Sequence, residues 1–429
     1  MYSTLLVASL LLCGQTEPKD PAADAASLKA TVTRLVRQLD DNQLSRREAA
    51  EKELAALGPA ALAVLPPVTR QTPAEVKDRL ARVRRTLESA AAEAATRPVK
   101  INLQGEMKLN EALSALEKQS GNKLIDFRRR FNQQARNETV KVDFKDLIFW
   151  DAFDQLLDQA ELTTYAFSGE KGVLAVVARG QDDVARKGAA AYSGLFRFEG
   201  TRIEATRDLR NPMNQGLKLT VDLSWEPRLQ PIVINQPLDQ LTIADDEGRA
   251  MAIDGREGEI EVTTDGETSS AELVVPIRLP DRSVKKIGSL KGTLQVVAPG
   301  RFETFEFTDL EKTKNVEHRR AAVNVAVDQV RKNQDVYEVR MRVKFDAAAN
   351  SLESHRNWIY SNPAQIVDAE GQPIENAGME ATLQEADEVG IAYQFVLPNG
   401  LKGCKFVYTT PVAIIKMPVE YELKNIELP

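Results

Sequence analysis

The spacing of apolar residues changes character twice along the chain. Between residues 26 and 96 it is helical. Leu28, Val32, Leu35 and Leu39 recur at steps of four, three and four, which puts them on one helix face. Ser45 and Glu48 read as a capping box ahead of a second stripe, Ala50, Leu54 and Leu57. Gly58 offers a left-handed stop, and Pro59 suits the first turn of the next helix. Thr72-Pro73-Ala74-Glu75 opens a third stretch, with Val76, Leu80, Val83 and Leu87 on one face. Arg79, Arg82, Arg84 and Arg85 stand opposite, as a solvated face.

After Pro98 the period switches. Residues 99–103 (VKINL) alternate as a strand, and Leu109, Ala112, Leu113 and Leu116 return to helical spacing before Gly121. A strand at 123–127 comes next, then another at 139–144. Phe149, Ala152, Phe153, Leu156, Leu157 and Ala160 form a second amphipathic helix, and residues 162–167 and 173–177 close the segment as strands. The order is β-α-β, then β-α-β-β. From residue 190 onward, short alternating runs are separated by turn signals such as Asp245-Asp246-Glu247-Gly248, the spacing of antiparallel sandwiches.

That second half repeats itself. Residues 243–248 (IADDEG) match 366–371 (IVDAEG), and 302–307 (FETFEF) match 418–423 (PVEYEL), the latter at an offset of 116. The expected fold is therefore multidomain α+β. Helical hairpins occupy 26–96, a small βαβ-βαββ domain 98–178, and two antiparallel β-sandwiches 190–310 and 318–429. A leader at 1–14 and a linker at 15–25 precede them.

Composition narrows the chemistry. Of 429 residues, 43% are apolar and 28% charged, which excludes disordered and polytopic membrane proteins. A net charge of −7 argues against a nucleic-acid partner. Two cysteines and two histidines leave no room for a zinc finger or a multi-disulfide scaffold. No Walker loop, GxGxxG, GxSxG or HExxH occurs. No catalytic, cofactor or metal residue is therefore assigned.

Residues 5–13 (LLVASLLLC) are too short to span a bilayer but fit a secretory leader. Cys13 closes the run and is the candidate for lipid attachment, although Leu12 stands where a small residue is usual. Membrane association is expected through this terminus alone, and the mature chain would keep one thiol, Cys404, in a strand pattern. Arg128, Arg129 and Arg130, flanked by Phe127 and Phe131, are the candidate docking surface.

Two resemblances bear on function. The run from Arg47-Glu48-Ala49-Ala50 through Leu54, Leu57-Gly58-Pro59-Ala60-Ala61 to Leu65 resembles a HEAT-type helical hairpin, which implies protein binding. VKINL, LNEALSALEKQSGNKLI, VKVDFKDLIFWDAFDQLLDQAELTTYAF and VLAVVA, about 80 residues, resemble the short N-terminal domain of secretins and TonB-dependent receptors. That resemblance implies a protein-docking module of the bacterial envelope. No pore or barrel pattern comes after it, so only the docking role carries over.

The expectation is a non-enzymatic exported protein of the periplasm or cell envelope that docks envelope protein partners. The alternative is a carbohydrate- or calcium-binding sandwich protein. It would use Trp225, Trp358 and the acidic side chains Asp245, Asp246, Glu247, Asp254, Glu257 and Glu259.

Overall fold

The computed structural model describes residues 21–66, 71–180, 190–211, 213, 215–255, 257–262, 264, 268–346, 352 and 357–429. The expected leader with Cys13 lies outside them, as does His355. Chain contacts divide the molecule into two compact units, residues 1–90 and 91–429. Among the described residues, no helix is long and apolar enough to cross a membrane. The architecture is mixed α+β, with strands predominating.

In the first unit, α1 (Pro21–Gln38), α2 (Leu44–Ala56) and α3 (Ala74–Ala95) bury the stripes that their spacing marked out. Val32, Leu35, Leu39, Leu54, Leu80, Val83 and Leu87 share one core. The capping box at Ser45 is not formed. Helix α2 starts two residues earlier than that cap implies, and Gln43 at its N-cap makes no side-chain cap bond. Asp41 instead accepts the Gln43 N–H at 2.9 Å. Gly58 does take a left-handed φ of 76°, and Pro59 opens a short 3-10 helix, Pro59–Val64. Arg79 departs from the expected solvated face. It is buried, and bonds Glu51 at 2.5 Å and Glu75 at 2.8 Å, tying α3 to α2.

The second unit begins with a small α/β segment. Its elements are β1 (Lys100–Lys108), α4 (Leu109–Ser120), β2 (Lys123–Asp126), β3 (Thr139–Ile148), α5 (Phe149–Gln159), β4 (Leu162–Tyr165) and β5 (Val173–Ala178). β1 pairs antiparallel with β3, while β5 lies between β2 and β4. Gly121, at φ 75°, ends α4 and donates its N–H to Glu117 O at 2.8 Å. Phe149, Trp150, Phe153, Leu156 and Leu157 fill the core against Leu116, Phe144 and Val176.

The rest of the unit is built of strands. The first group is β6 (Ala190–Ser193), β7 (Phe196–Arg207), β8 (Gln215–Trp225), β9 (Val233–Pro237), β10 (Leu241–Asp245), β11 (Ala250–Met251), β12 (Glu259–Val262), β13 (Ser270–Ile277) and β14 (Lys286–Phe307). The second is β15 (Lys314–Arg320), β16 (Val323–Asn333), β17 (Val336–Phe345), β18 (Ala364–Val367), β19 (Pro373–Glu375), β20 (Gly378–Gln384), β21 (Glu388–Val396) and β22 (Lys405–Glu427). One sheet runs β13-β8-β7-β6 and another β15-β16-β17-β21-β20. The third sheet, β11-β10-β14-β22-β18-β19, has the two longest strands at its centre.

β14 and β22 pair antiparallel along nearly their whole length, from Lys286 facing Glu427 to Phe307 facing Phe406. β10 and β11 extend this sheet from β14, β18 and β19 extend it from β22, and β9 with β12 joins it at β14. β14 and β22 each contribute one end to each of two cores. Phe305 and Phe307 pack with Val325, Met341 and Phe406, whereas Val419, Tyr421 and Leu423 pack with Phe198, Leu219 and Leu290. The stretches 190–310 and 318–429 each lend a strand end to the other.

The β10–β14 register shifts between Ala244 and Asp245, beside Gly288. A side chain at Gly288 would put its Cβ 2.3 Å from the Asp245 carbonyl oxygen. Main chain cannot move aside there without breaking the ladder. Gly288→Ala is expected to lower stability by about 1–3 kcal/mol, the usual cost of overpacking. Urea denaturation would check this, and an unchanged midpoint would mean that the two strands do not approach so closely.

Candidate functional site: an arginine and aromatic face

Arg128, Arg129 and Arg130 sit in one 3-10 turn, Arg128–Phe131, directly after β2. Asp126 organises the turn. Its Oδ1 accepts the Arg128 N–H at 3.1 Å, and its Oδ2 accepts Arg128 Nη2 at 2.7 Å. Burial pushes the Asp126 carboxyl up, but the Arg128 guanidinium and backbone N–H overcome it and hold the carboxyl below its ordinary value. Asn132 closes the turn in the left-handed region, at φ 55°. The cost of this arrangement falls on the expected docking surface. Arg128 is buried, its charge spent on Asp126, so it leaves that surface. Arg129 and Arg130 stay exposed.

A chain of aromatic rings runs from Arg130. The Arg130 guanidinium lies 4.3 Å over the Phe127 ring and bonds Glu170 at 2.8 Å. Phe131 meets Tyr165 edge-on at 4.9 Å, and Tyr165 meets Phe167 edge-on at 6.1 Å. Phe131 is 46% exposed and Phe167 76%. Strand spacing had placed Phe167 inside β4. The strand stops at Tyr165, which frees Phe167 to stand in solvent. The marker available in the sequence was the Gly169 and Gly172 pair, both at positive φ, which turns the chain just beyond it.

This face is carried on a rigid support. Trp150 Nε1 donates to Leu195 O at 2.9 Å. Asp154, on α5, is fully buried and accepts from Arg197 Nε at 2.6 Å and from Tyr192 Oη at 2.9 Å. Burial would lower the Arg197 pKa, but Asp154 and Glu199 on either side leave it raised. Burial and the Asp154 charge both push the Tyr192 phenol up, so it remains a donor. A second link runs from Asn122 Nδ2 to Glu226 Oε2 at 2.8 Å, and from Arg228 Nε to the same oxygen at 2.8 Å. The α/β segment is thereby bonded to β6, β7 and the end of β8. Periodicity could not reveal these contacts, because Asp154 and Arg197 look like solvent-facing positions of their own elements.

Glu226 is fully buried, and burial pushes its carboxyl up against the opposing pull of Arg228 and Asn122. A raised folded-state value means that the protonated form stabilises the fold. That contribution is complete below the ordinary glutamate value of 4.5 and is lost as pH rises through the folded value. Glu226→Gln, which stays neutral, is expected to match the parent in acid and to melt higher than it at about pH 8. Melting curves across that range check the sign. A variant that loses ground as pH rises would show that the Arg228 pairing outweighs burial.

Several of the remaining candidates are engaged within the fold, while Asp246, Asp254 and Glu257 are exposed. Asp245 accepts the backbone N–H groups of Glu247 and Arg249 at 3.0 and 2.8 Å, and the Arg249 guanidinium at 2.6 Å. Asp368 makes the matching turn in the second repeat, accepting from Glu370 and Gln372 at 3.0 and 2.7 Å. Glu259 accepts from Asn235 at 2.9 Å. Among the described residues, no group of three or more His, Cys, Asp or Glu is placed to hold a metal. Trp225 is buried in the core, and Trp358 meets Phe345 edge-on at 5.9 Å. His318 stacks on Phe307 at 4.5 Å. Cys404 is buried, and burial pushes its thiol up. No protein-family model, curated protein or solved structure matches this chain, so its function is argued from geometry.

Proposed function

We propose that this chain is a non-enzymatic, exported protein of the bacterial cell envelope that docks partner proteins on a rigid scaffold. In this reading residues 26–96 form HEAT-like hairpins, 98–178 an adaptor resembling the secretin and TonB-receptor N-terminal domain, and the β-rich remainder a pair of strand-exchanged sandwiches acting as a spacer. The single observation that carries it is the Phe131, Tyr165 and Phe167 ladder. It leaves large aromatic surface in water on a segment otherwise bonded firmly to its neighbour. Exposed aromatic and arginine side chains are the groups most enriched at the centres of protein interfaces. The buried ionisable groups Asp154, Arg197 and Glu226 are engaged with one another's segments, which supports a structural use for them.

Export rests on the leader pattern at 5–13. Fractionation of native cells, with mass determination of the mature N-terminus, tests it. A trimmed or Cys13-lipidated chain in the envelope fraction is expected, and an intact chain in the cytosol would overturn it. Docking is tested by cross-linking the full chain in cells. A reproducible envelope protein linked to residues 98–178 is expected. Linkage to none would refute the docking reading.

A further inference from the structure

The shape and charge of the aromatic face constrain the chemistry of its partner. Strand alternation sends Leu124, Leu174 and Val176 into the core with α4 and α5. In register across the sheet, Ile125, Ala175 and Tyr165 then point to the opposite side. The 3-10 turn covers part of that side, with Phe131 resting edge-on against Tyr165. Beyond it Phe167 extends the apolar surface into solvent.

Charge is distributed unevenly around this face. Residues 123–136 hold five basic side chains and one acidic, in a protein of net charge −7. Asp126 cancels Arg128, and Glu170 partly offsets Arg130. Arg129 is exposed, and its charge is felt at Asp126 without an ion-pair contact among the described residues. An apolar strip edged by cations on an otherwise acidic protein selects a partner of opposite sign.

Resting on the docking function proposed above, we propose that the face formed by Phe131, Tyr165 and Phe167 with Arg129 and Arg130 binds an acidic segment of a partner protein. That segment sets an aliphatic or aromatic side chain against Phe167 and Tyr165, and carboxylates against the two guanidinium groups. Arginine suits this task because its planar fork can hold a carboxylate by two parallel bonds. A nucleic acid is disfavoured, since affinity for a phosphate backbone grows with the number of cations engaged, and Arg128 and Arg130 are already paired with carboxylates in a protein of net charge −7.

The test uses the full chain, immobilised, and a displayed library of random 12-residue peptides. Selected peptides are expected to carry Asp or Glu beside an aromatic or aliphatic residue, and to bind more weakly as salt rises. Arg129→Glu and Phe167→Ser should each raise Kd about tenfold or more. Both positions are exposed, so the fold should survive, as circular dichroism would confirm. Leu209→Ser, at a side chain 91% exposed elsewhere, should leave Kd unchanged. Peptides without acidic residues, an unaltered Kd in both face variants, or displacement of the peptides by oligo-dT would each overturn the proposal. The cross-linking experiment separates the site from the docking function. A partner still linked to Arg129→Glu and Phe167→Ser chains refutes this site and leaves docking standing. Absence of any partner for the parent chain refutes docking, while the peptide selection still decides the face.

Discussion

Arg197→Ala is expected to destabilise the 91–429 unit by about 3–5 kcal/mol, the range for removing one member of a buried ion pair. The reason lies in what is left behind. Arg197 and Asp154 are both almost completely buried, at 2.6 Å, and a second Asp154 oxygen has no hydrogen bond among the described residues. Without the guanidinium, the carboxylate is held away from water with only Tyr192 as donor. Burial raises the cost of that charge far above its cost at a surface. Removing both charges together changes the outcome. Asp154→Leu combined with Arg197→Met is expected to recover part of the loss, because the buried Asp154 carboxylate leaves with its partner and packing volume is kept, while Glu199 loses its 2.6 Å contact with Arg197. Urea denaturation followed by tryptophan fluorescence would measure both, since Trp150 bonds to the same joint at Leu195. A loss below about 1 kcal/mol for Arg197→Ala would mean that the pair is open to water.

That joint also marks the limit of what periodicity reveals. The apolar stripes of α1, α3, α4 and α5 were legible because each repeats over several turns, and a helix buries whatever its period places on one side. The order of elements in 98–178 came from the same logic, and Gly58 and Gly121 both mark true helix ends. Asp154 and Arg197 were not legible. Asp154 shares α5 with Asp151 and Asp158, Arg197 shares β7 with four other charged residues, and the two partners lie 43 residues apart. Arg128 failed for a related reason. Three adjacent arginines look equivalent in sequence, but in a 3-10 turn successive side chains point about a third of a circle apart, so one of them must face inward. Asp126, two residues before, was the clue to which one. The repeat was visible as matched segments. Matched segments do not say whether each repeat closes on itself, and in this chain each strand end closes the other repeat.

Strand exchange makes a further prediction that separates it from two independent halves. Tyr421 belongs by sequence to the second repeat, yet it sits in the first core. Its ring stacks on Phe198 at 4.3 Å and 9°, and its hydroxyl donates to Gln236 at 2.9 Å. Burial pushes the phenol up, which favours the protonated form that donates. The ring fits because its partner across the ladder is Gly292, where a Cβ would lie 2.6 Å from it. Tyr421→Ala removes the stack and the ring volume, and also strands Gln236, which is fully buried. The expected loss is about 3–5 kcal/mol, as for other aromatic truncations in cores. Tyr421→Phe, which forfeits only the hydrogen bond, should lose about 1–3 kcal/mol. Location decides the issue more sharply than size. Hydrogen exchange should rise first in β7 and β8, which pack beneath Tyr421, and later in β16 and β17. Exchange appearing first in β16 and β17 would mean that residues 318–429 fold as a closed unit, and the sharing of strand ends between the two cores would have to be abandoned.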